Sequence, residues 1–255
     1  MPETRFVHDT PPSSFNLLQR TCGLFVAPVS TFAELRRTPR WLDVLLLAMT
    51  IASASTYLFA SSDRGARLLV DRRLLLAHVA ERQVPASEYA VLLAREQRGA
   101  PLRAMLAALR LIALTVMAAA GGLAIGSVLN ASGLLRAPVM PAARFSHALS
   151  IASHAALIPA LAVPTRFLLN VWTESIGPPT SIGLLVPFLP EDTFWAHLGN
   201  AIDLFGLWWT HTLALGFAII SVRRPDGLRL IFLAIYLAAA VAFAVGRTLA
   251  GAPSL

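Results

Sequence analysis

"WLDVLLLAMTIASASTYLFA", residues 41–60, carries one charged side chain, Asp43, near its front edge and is otherwise apolar, small or hydroxylated. About 20 such residues in a helix cross the roughly 30 Å of bilayer hydrocarbon. The stretch therefore reads as a membrane span, and Asp43 lies where a carboxylate favours a helix N-terminus. Four further stretches qualify, at 105–128, 145–163, 201–221 and 230–247. The third is the weakest, with His147 and His154 inside it and Pro159 and Pro164 near its end. The fold expected is all-α: a polytopic five-helix transmembrane bundle with N-terminal amphipathic in-plane helices. Its domain runs over 15–247, between a flexible tail at 1–14 and a short tail at 248–255.

Composition points the same way, with 56% hydrophobic and 14% charged residues in a chain of 255 and a mean hydropathy of +0.65. The formal charge of +7 rests on 21 basic residues, all of them arginine. Several flank apolar runs, where they snorkel to headgroups, so the charge does not imply nucleic acid. With the alanine and leucine load, this usage suits a GC-rich genome and a bacterial cytoplasmic (inner) membrane. The lone Cys22 excludes an internal disulfide and has no second thiol for a metal pair. The N-terminus lacks a basic segment leading into an apolar stretch and a cleavage site, so the first span is expected to act as its own targeting signal.

Orientation follows from the arginines at the span ends. Arg20, Arg36, Arg37 and Arg40 precede span 1, Arg136 and Arg144 link spans 2 and 3, and Arg223, Arg224 and Arg229 link spans 4 and 5. Five spans place all three groups on one side, opposite Arg166, Glu174, Glu191 and Asp192, which favours a cytoplasmic N-terminus. The link at 61–104, with eight arginines and five acids, opposes this, but long links vote weakly. Its apolar pairs alternate with charges at three- and four-residue spacing, giving two amphipathic helices within 64–98, broken near Pro85, that lie on the membrane or cap the bundle. In span 2, Ala118, Gly122 and Gly126 form a small-residue face for close helix packing.

Ahead of span 1, "FVAPVSTFAELRRTPRW" (25–41) is amphipathic. Pro28 ends one element, spanning about 15–26, and the Thr31–Glu34 spacing is that of a capping box starting a second helix, about 31–38. Phe32 and Leu35 are expected to face lipid with Phe25, Arg36 and Arg37 to meet headgroups, and Trp41 to mark the interface. The longer block "FNLLQRTCGLFVAPVSTFAELRRTPRW" (15–41) resembles the entry pattern of the prokaryotic branch of the Yip family. A second block, "PPTSIGLLVPFLPEDTFWAHLGNAIDLFGLWWTHTLALGF" (178–217), is similar to that family where Thr-Ser-apolar-Gly precedes a loop and "IDLFGLWW" opens span 4. The resemblance implies a five-span bundle with a cytoplasmic N-terminus and little chemistry. Eukaryotic relatives are associated with vesicle traffic, Rab-type small GTPases and oligomeric contacts between spans; the long acidic, aromatic leader typical of that branch has no counterpart here.

No phosphate loop, nucleophile elbow, H-E-x-x-H or cysteine pair is present, which leaves polar groups inside the spans as candidates. His147, Ser150 and His154 lie in span 3, and seven helical positions return to within about 20°, so both histidines share a face. Asp203 and Thr210 repeat that interval in span 4, with His211 about 80° round. Meeting faces would make a carboxylate–imidazole cluster able to bind a metal, relay protons or hold a headgroup. Helix capping by Asp203 and buried hydrogen bonding by the histidines are the plainer readings, and no metal or cofactor is assigned. "SIGLLVPFLP" (181–190) is too short to span and reads as interfacial or partly re-entrant. Trp208 and Trp209 lie deeper than an aromatic belt, so at least one is expected to pack between helices. Two functions follow. One is a non-enzymatic scaffold or accessory subunit that engages the bilayer and other membrane proteins or a second copy of itself. The other is a small ion, proton or metal transporter or channel using His147, His154, Asp203 and His211.

Overall fold

The computed structural model describes residues 15–76, 84–131, 145–174, 177–186, 188–190, 193–221 and 225–250. Among them the chain is helical and forms no strand. Arg136, Arg144, Glu191, Asp192, Arg223, Arg224 and the tails at 1–14 and 251–255 lie outside the described residues. Four helices are long and apolar enough to cross a membrane: Leu42–Ser61, Ala100–Leu129, Phe145–Thr173 and Gly227–Leu249. The stretch read as 201–221 yields Leu204–Ile220, whose 17 residues fall short of that length.

The chain enters through α1 (Leu17–Val26) and α2 (Pro28–Arg37). The capping box belongs to α1: Gln19 N donates to Asn16 Oδ1 at 2.8 Å and Asn16 N donates to Gln19 Oε1 at 2.9 Å. The Thr31–Glu34 box does not form. Helix α2 begins at Pro28, whose missing N–H costs nothing at the first helical position, and Thr31 lies inside it with Oγ1 donating to the Ala27 carbonyl at 3.1 Å. Thr31 Oγ1 also sits against Gly23 of α1, where a Cβ has no room, so the two helices close into a tight hairpin.

That hairpin corrects the expected lipid-facing side. Phe32 and Leu35 are 0% and 1% exposed, packed into the protein core rather than turned to lipid. The cause is Gly216: a Cβ there would lie 3.2 Å from the Phe32 ring, so the glycine opens the seat that the ring fills. Val26 and Val29 are the exposed apolar side chains of this entry. Phe25 is half-buried and meets Trp208 edge-on with ring centroids 5.5 Å apart. Trp41 is half-buried against the core, Arg36 half-buried and Arg37 exposed. Trp209, the neighbour of Trp208, packs against the same core.

From Trp41, α3 (Leu42–Ser61) turns at Ser62 into α4 (Asp63–Leu76), and Ser62 Oγ accepts from Gly65 N at 3.1 Å to start the new helix. After Pro85 comes α5 (Ala86–Arg98), and Gly99 joins it to the 32-residue α6 (Ala100–Ala131). Two helices flanking Pro85 are thus present in the described part of the link, residues 77–83 lying outside it. Buried Glu96 of α5 pairs with Arg73 of α4 and Arg103 of α6, fixing the pair to the foot of α6. Tyr89 donates to Asp71 at 2.9 Å; burial and the Asp71 charge push its hydroxyl pKa up. In α6 only one glycine of the expected packing face is tight. A Cβ at Gly122 would strike the Phe217 ring, Gly126 has open space, and Ala118 is half-buried against the core.

The expected weakest span is the centre of the fold. Helices α7 (Phe145–Ala155) and α8 (Leu157–Thr173) continue one another, and 72% of their apolar window is buried, against 22–28% for the other three long helices. It runs on past residue 163 to Thr173, with Pro164 inside α8. The break at Ala156 has a local cause: Pro159 supplies no N–H to the Ala155 carbonyl, and its ring crowds that oxygen. Alanine and serine dominate α7, which lets α2, α3, α6 and α10 close around it. A 3-10 turn, Ile182–Leu185, and the short α9 (Phe194–Ala201) precede α10 (Leu204–Ile220), and α11 (Pro225–Leu249) packs along both α9 and α10.

Buried Phe32 and exposed Val29 give a direct check. Phe32→Ala is expected to lower stability by about 3–5 kcal/mol through the cavity it leaves. Val29→Ala should stay within about 0.5 kcal/mol. Unfolding of the detergent-solubilised protein in rising SDS measures both.

Candidate functional site

The polar groups of the apolar helices divide into two nodes. The first gathers where the entry hairpin meets α3 and α7. Arg20, 2% exposed on α1, reaches Asp43 on the first turn of α3 with both guanidinium nitrogens, Nη1 donating to Oδ1 at 3.3 Å and Nη2 donating to Oδ2. Asp43 Oδ1 also accepts from Val44 N at 2.9 Å. Ser150 Oγ donates to the Arg40 carbonyl at 2.8 Å, tying the strand of chain before α3 to α7.

His154 lies a turn beyond Ser150 and is wholly buried. Its Nδ1 lies 2.7 Å from the Ser150 carbonyl, an oxygen that only accepts, so Nδ1 carries the proton and donates. Nε2 is left as a buried acceptor without a hydrogen-bond partner, as Arg20 Nε is left as a donor. Arg20 and Asp43 both act on the ring electrostatically, so the imidazole sits beside an ion pair rather than a second ligand. His147, on the same face and half-buried, leaves its Nδ1 unpartnered.

The second node surrounds the start of α10. Asp203 is the N-cap, its Oδ1 accepting from Phe205 N at 3.0 Å and Gly206 N at 3.2 Å. Arg166 of α8 pairs with the same oxygen at 2.8 Å through Nη2, and its Nε donates to Thr180 Oγ1 at 3.2 Å. Thr180 Oγ1 in turn donates to Asp203 Oδ2. The backbone is paired as thoroughly. Asp203 N donates to the Tyr236 hydroxyl of α11 at 3.0 Å, Ile182 N to the Ile202 carbonyl at 2.9 Å, and Leu204 N to the Thr180 carbonyl at 3.0 Å. The Tyr236 hydroxyl also donates to the Ala201 carbonyl at 3.4 Å. Gly206 makes room for that ring, since a Cβ there would lie 2.5 Å from the tyrosine oxygen.

The carboxylate–imidazole cluster expected from the shared faces therefore does not assemble through Asp203. Its carboxylate is taken by α10 amides, Thr180 and Arg166, while Ser150 and His154 belong to the Arg20–Asp43 node. Thr210 is buried with Oγ1 donating to the Gly206 carbonyl at 2.8 Å, and His211 is exposed. No group of three His, Cys, Asp or Glu side chains converges among the described residues. Arg20 and Arg166, read from sequence only as orientation charges, are the partners that organise both nodes. A lone charge on an otherwise apolar helix face was the available signal for each. Thr180 and Tyr236 offered only a hydroxyl within an apolar or loop segment.

No protein family, curated protein or solved structure matches the chain. The geometry is therefore the evidence on function.

Asp203→Asn keeps an acceptor for the two amides and is expected to cost about 1–2 kcal/mol; Asp203→Ala removes the cap, strands Arg166 and is expected to cost about 3–5 kcal/mol. Equal losses in SDS unfolding would contradict the capping role. For the first node, a Leu24→Cys thiol in a Cys22→Ser background is buried and slow to react with maleimide. Adding Arg20→Ala, which frees the hairpin, should speed labelling at least about tenfold, the effect of a 1.4 kcal/mol loosening.

Proposed function

We propose that the chain is a non-enzymatic integral membrane protein of the Yip type, a membrane-organising or protein-interaction scaffold. In this reading it resides in a bacterial inner membrane with its N-terminus in the cytoplasm. The five spans are α3, α6, α7 with α8, α9 with α10, and α11, and the entry hairpin is an in-plane element whose inner face docks on the bundle. Helix α10 alone, with 17 residues, is about 25 Å long and falls short of the hydrocarbon. Helix α9 supplies the missing length, because both helices pack along α11 and the junction between them is held by Tyr236, in the middle of α11. A helix broken at membrane depth is tolerated where protein groups satisfy the freed backbone.

The observation that carries the functional reading is the use made of buried charge. Arg20 with Asp43, Glu96 with Arg73 and Arg103, and Asp203 with Arg166 each fasten a peripheral or interrupted segment to a long helix. Charge placed this way fixes the shape of the outer surface, as a docking platform requires. The three outer long helices carry mostly exposed apolar side chains, available to lipid, other membrane proteins or a second copy.

Mild-detergent extraction of the tagged protein followed by mass spectrometry is expected to recover a stoichiometric membrane partner or a stable homo-oligomer. Val29→Glu, which leaves the core intact, is expected to weaken that assembly. A monomer without partners in native nanodiscs overturns the scaffold reading. The unpartnered His154 Nε2 favours a second reading, a proton, ion or metal pathway involving His147, His154, Asp203 and His211. Liposome flux abolished by His154→Ala and by Asp203→Asn, with folding retained, would establish it in place of the first.

A further inference from the structure

The segment between α8 and α9 is built inside out. In a water-exposed loop, polar side chains face outward and apolar ones turn to the core. Here Thr180 and Arg166 turn to Asp203, and Ser181 Oγ donates to Asn200 Oδ1 at 3.2 Å. The outward side chains are Leu184, Leu185 and Phe188, 64%, 74% and 78% exposed. The main chain has no need of water either. Besides the Ile182 and Leu204 bonds, Leu184 N donates to the Ser181 carbonyl at 3.3 Å, Val186 N to Gly183 at 3.1 Å and Leu189 N to Val186 at 3.2 Å. Internal pairing of this kind is what hydrocarbon demands of a backbone that is not a regular helix.

Depth follows from packing. Gly183 of the 3-10 turn lies directly on Gly199 of α9, where an added Cβ would come within 3.0 Å of the Gly183 Cα. The turn therefore runs beside α9, and α9 runs beside α11, a helix long and apolar enough to span. That places the turn alongside a membrane-crossing helix rather than beyond its end. Its outward face continues that of α8, through the exposed Leu168 and Trp172, and that of α10, through Leu204. Trp195 at the start of α9 is also exposed, and tryptophan favours the headgroup boundary.

We propose that Ile182–Leu185, with Phe188, is a re-entrant wedge embedded in one leaflet, its outer side covered by lipid acyl chains, with Trp172 and Trp195 at the headgroup level. The partner is the bilayer itself, and the Asp203 node is the internal rivet that holds the wedge to the bundle. This assignment stands apart from the scaffold reading; it needs only a chain that spans a membrane.

The test places a bimane label on Leu185→Cys in a Cys22→Ser background, in vesicles of phosphatidylcholine and phosphatidylglycerol. Phe188→Cys serves as a second site should the first variant fail to fold. Lipid carrying a doxyl group near the top of the acyl chain is expected to quench either label about twofold, as for groups about 5–10 Å into the leaflet, with aqueous iodide having little effect. A label at Glu88→Cys, exposed on α5, supplies the aqueous reference. Iodide quenching of the Leu185 label as strong as at Glu88 overturns the wedge. So does a label silent to both quenchers that cross-links between copies, which would assign the face to a second copy of the chain.

Discussion

A backbone amide in hydrocarbon has no water to turn to, and that constraint accounts for the most elaborate part of this structure. Between α9 and α10 the helical ladder is interrupted, so the amides of the first turn of α10 need other acceptors. Asp203 provides one, but a carboxylate in such a place is itself costly and must be neutralised. Arg166 brings the charge, Thr180 a further hydrogen bond, and Tyr236 an acceptor for Asp203's own N–H. Each demand creates the next, and the chain ends with residues from α8, the following loop and α11 converging on one cap.

The entry hairpin answers a related constraint in another way. Two helices of 10 residues each are too short to hold their shape alone. They gain it from tertiary contact: Phe32 and Leu35 in the core, Thr31 against Gly23, and Arg20 on Asp43. Asp43 is 42% exposed at its side chain while Arg20 is 3%, so much of the pair's worth lies in satisfying the buried guanidinium rather than in attraction across solvent.

Sequence periodicity and apolar length located nearly all of the helices, because both follow from local composition. Position in the bundle did not. The 145–163 stretch looked weak because His147, His154 and two prolines lower its apolar character. A helix surrounded by protein can hold polar groups that a lipid-facing one cannot, so the same residues mark the centre. Phe32 and Leu35 were assigned to lipid on the assumption that an amphipathic entry helix faces the bilayer; the room that Gly216 leaves on α10 decided otherwise, and that fit spans more than 180 residues of chain. Asp203 was legible as a cap, since Asp before an apolar run is a local signal. Its union with Arg166, Thr180 and Tyr236 was not, because no short-range pattern reports which hydroxyl or guanidinium arrives from elsewhere. Gly122 and Gly126 show the same limit: equal in sequence, they differ in the structure because Phe217 reaches only one of them.

Helix α6 is 32 residues long, about 48 Å, against a hydrocarbon layer of about 30 Å. A helix with so much excess length crosses by leaning over or by standing clear of the lipid. It is not at liberty to do either alone, since Arg103 ties its first turns to Glu96 and Gly122 fixes it against Phe217 farther along. Thinning or thickening of the surrounding bilayer is therefore felt by α6 together with α3, α4 and α5 as one lever, pivoting on the buried α7–α8 rod. The membrane's thickness becomes a mechanical input, delivered outside the bilayer as a swing of the α4–α5 arm.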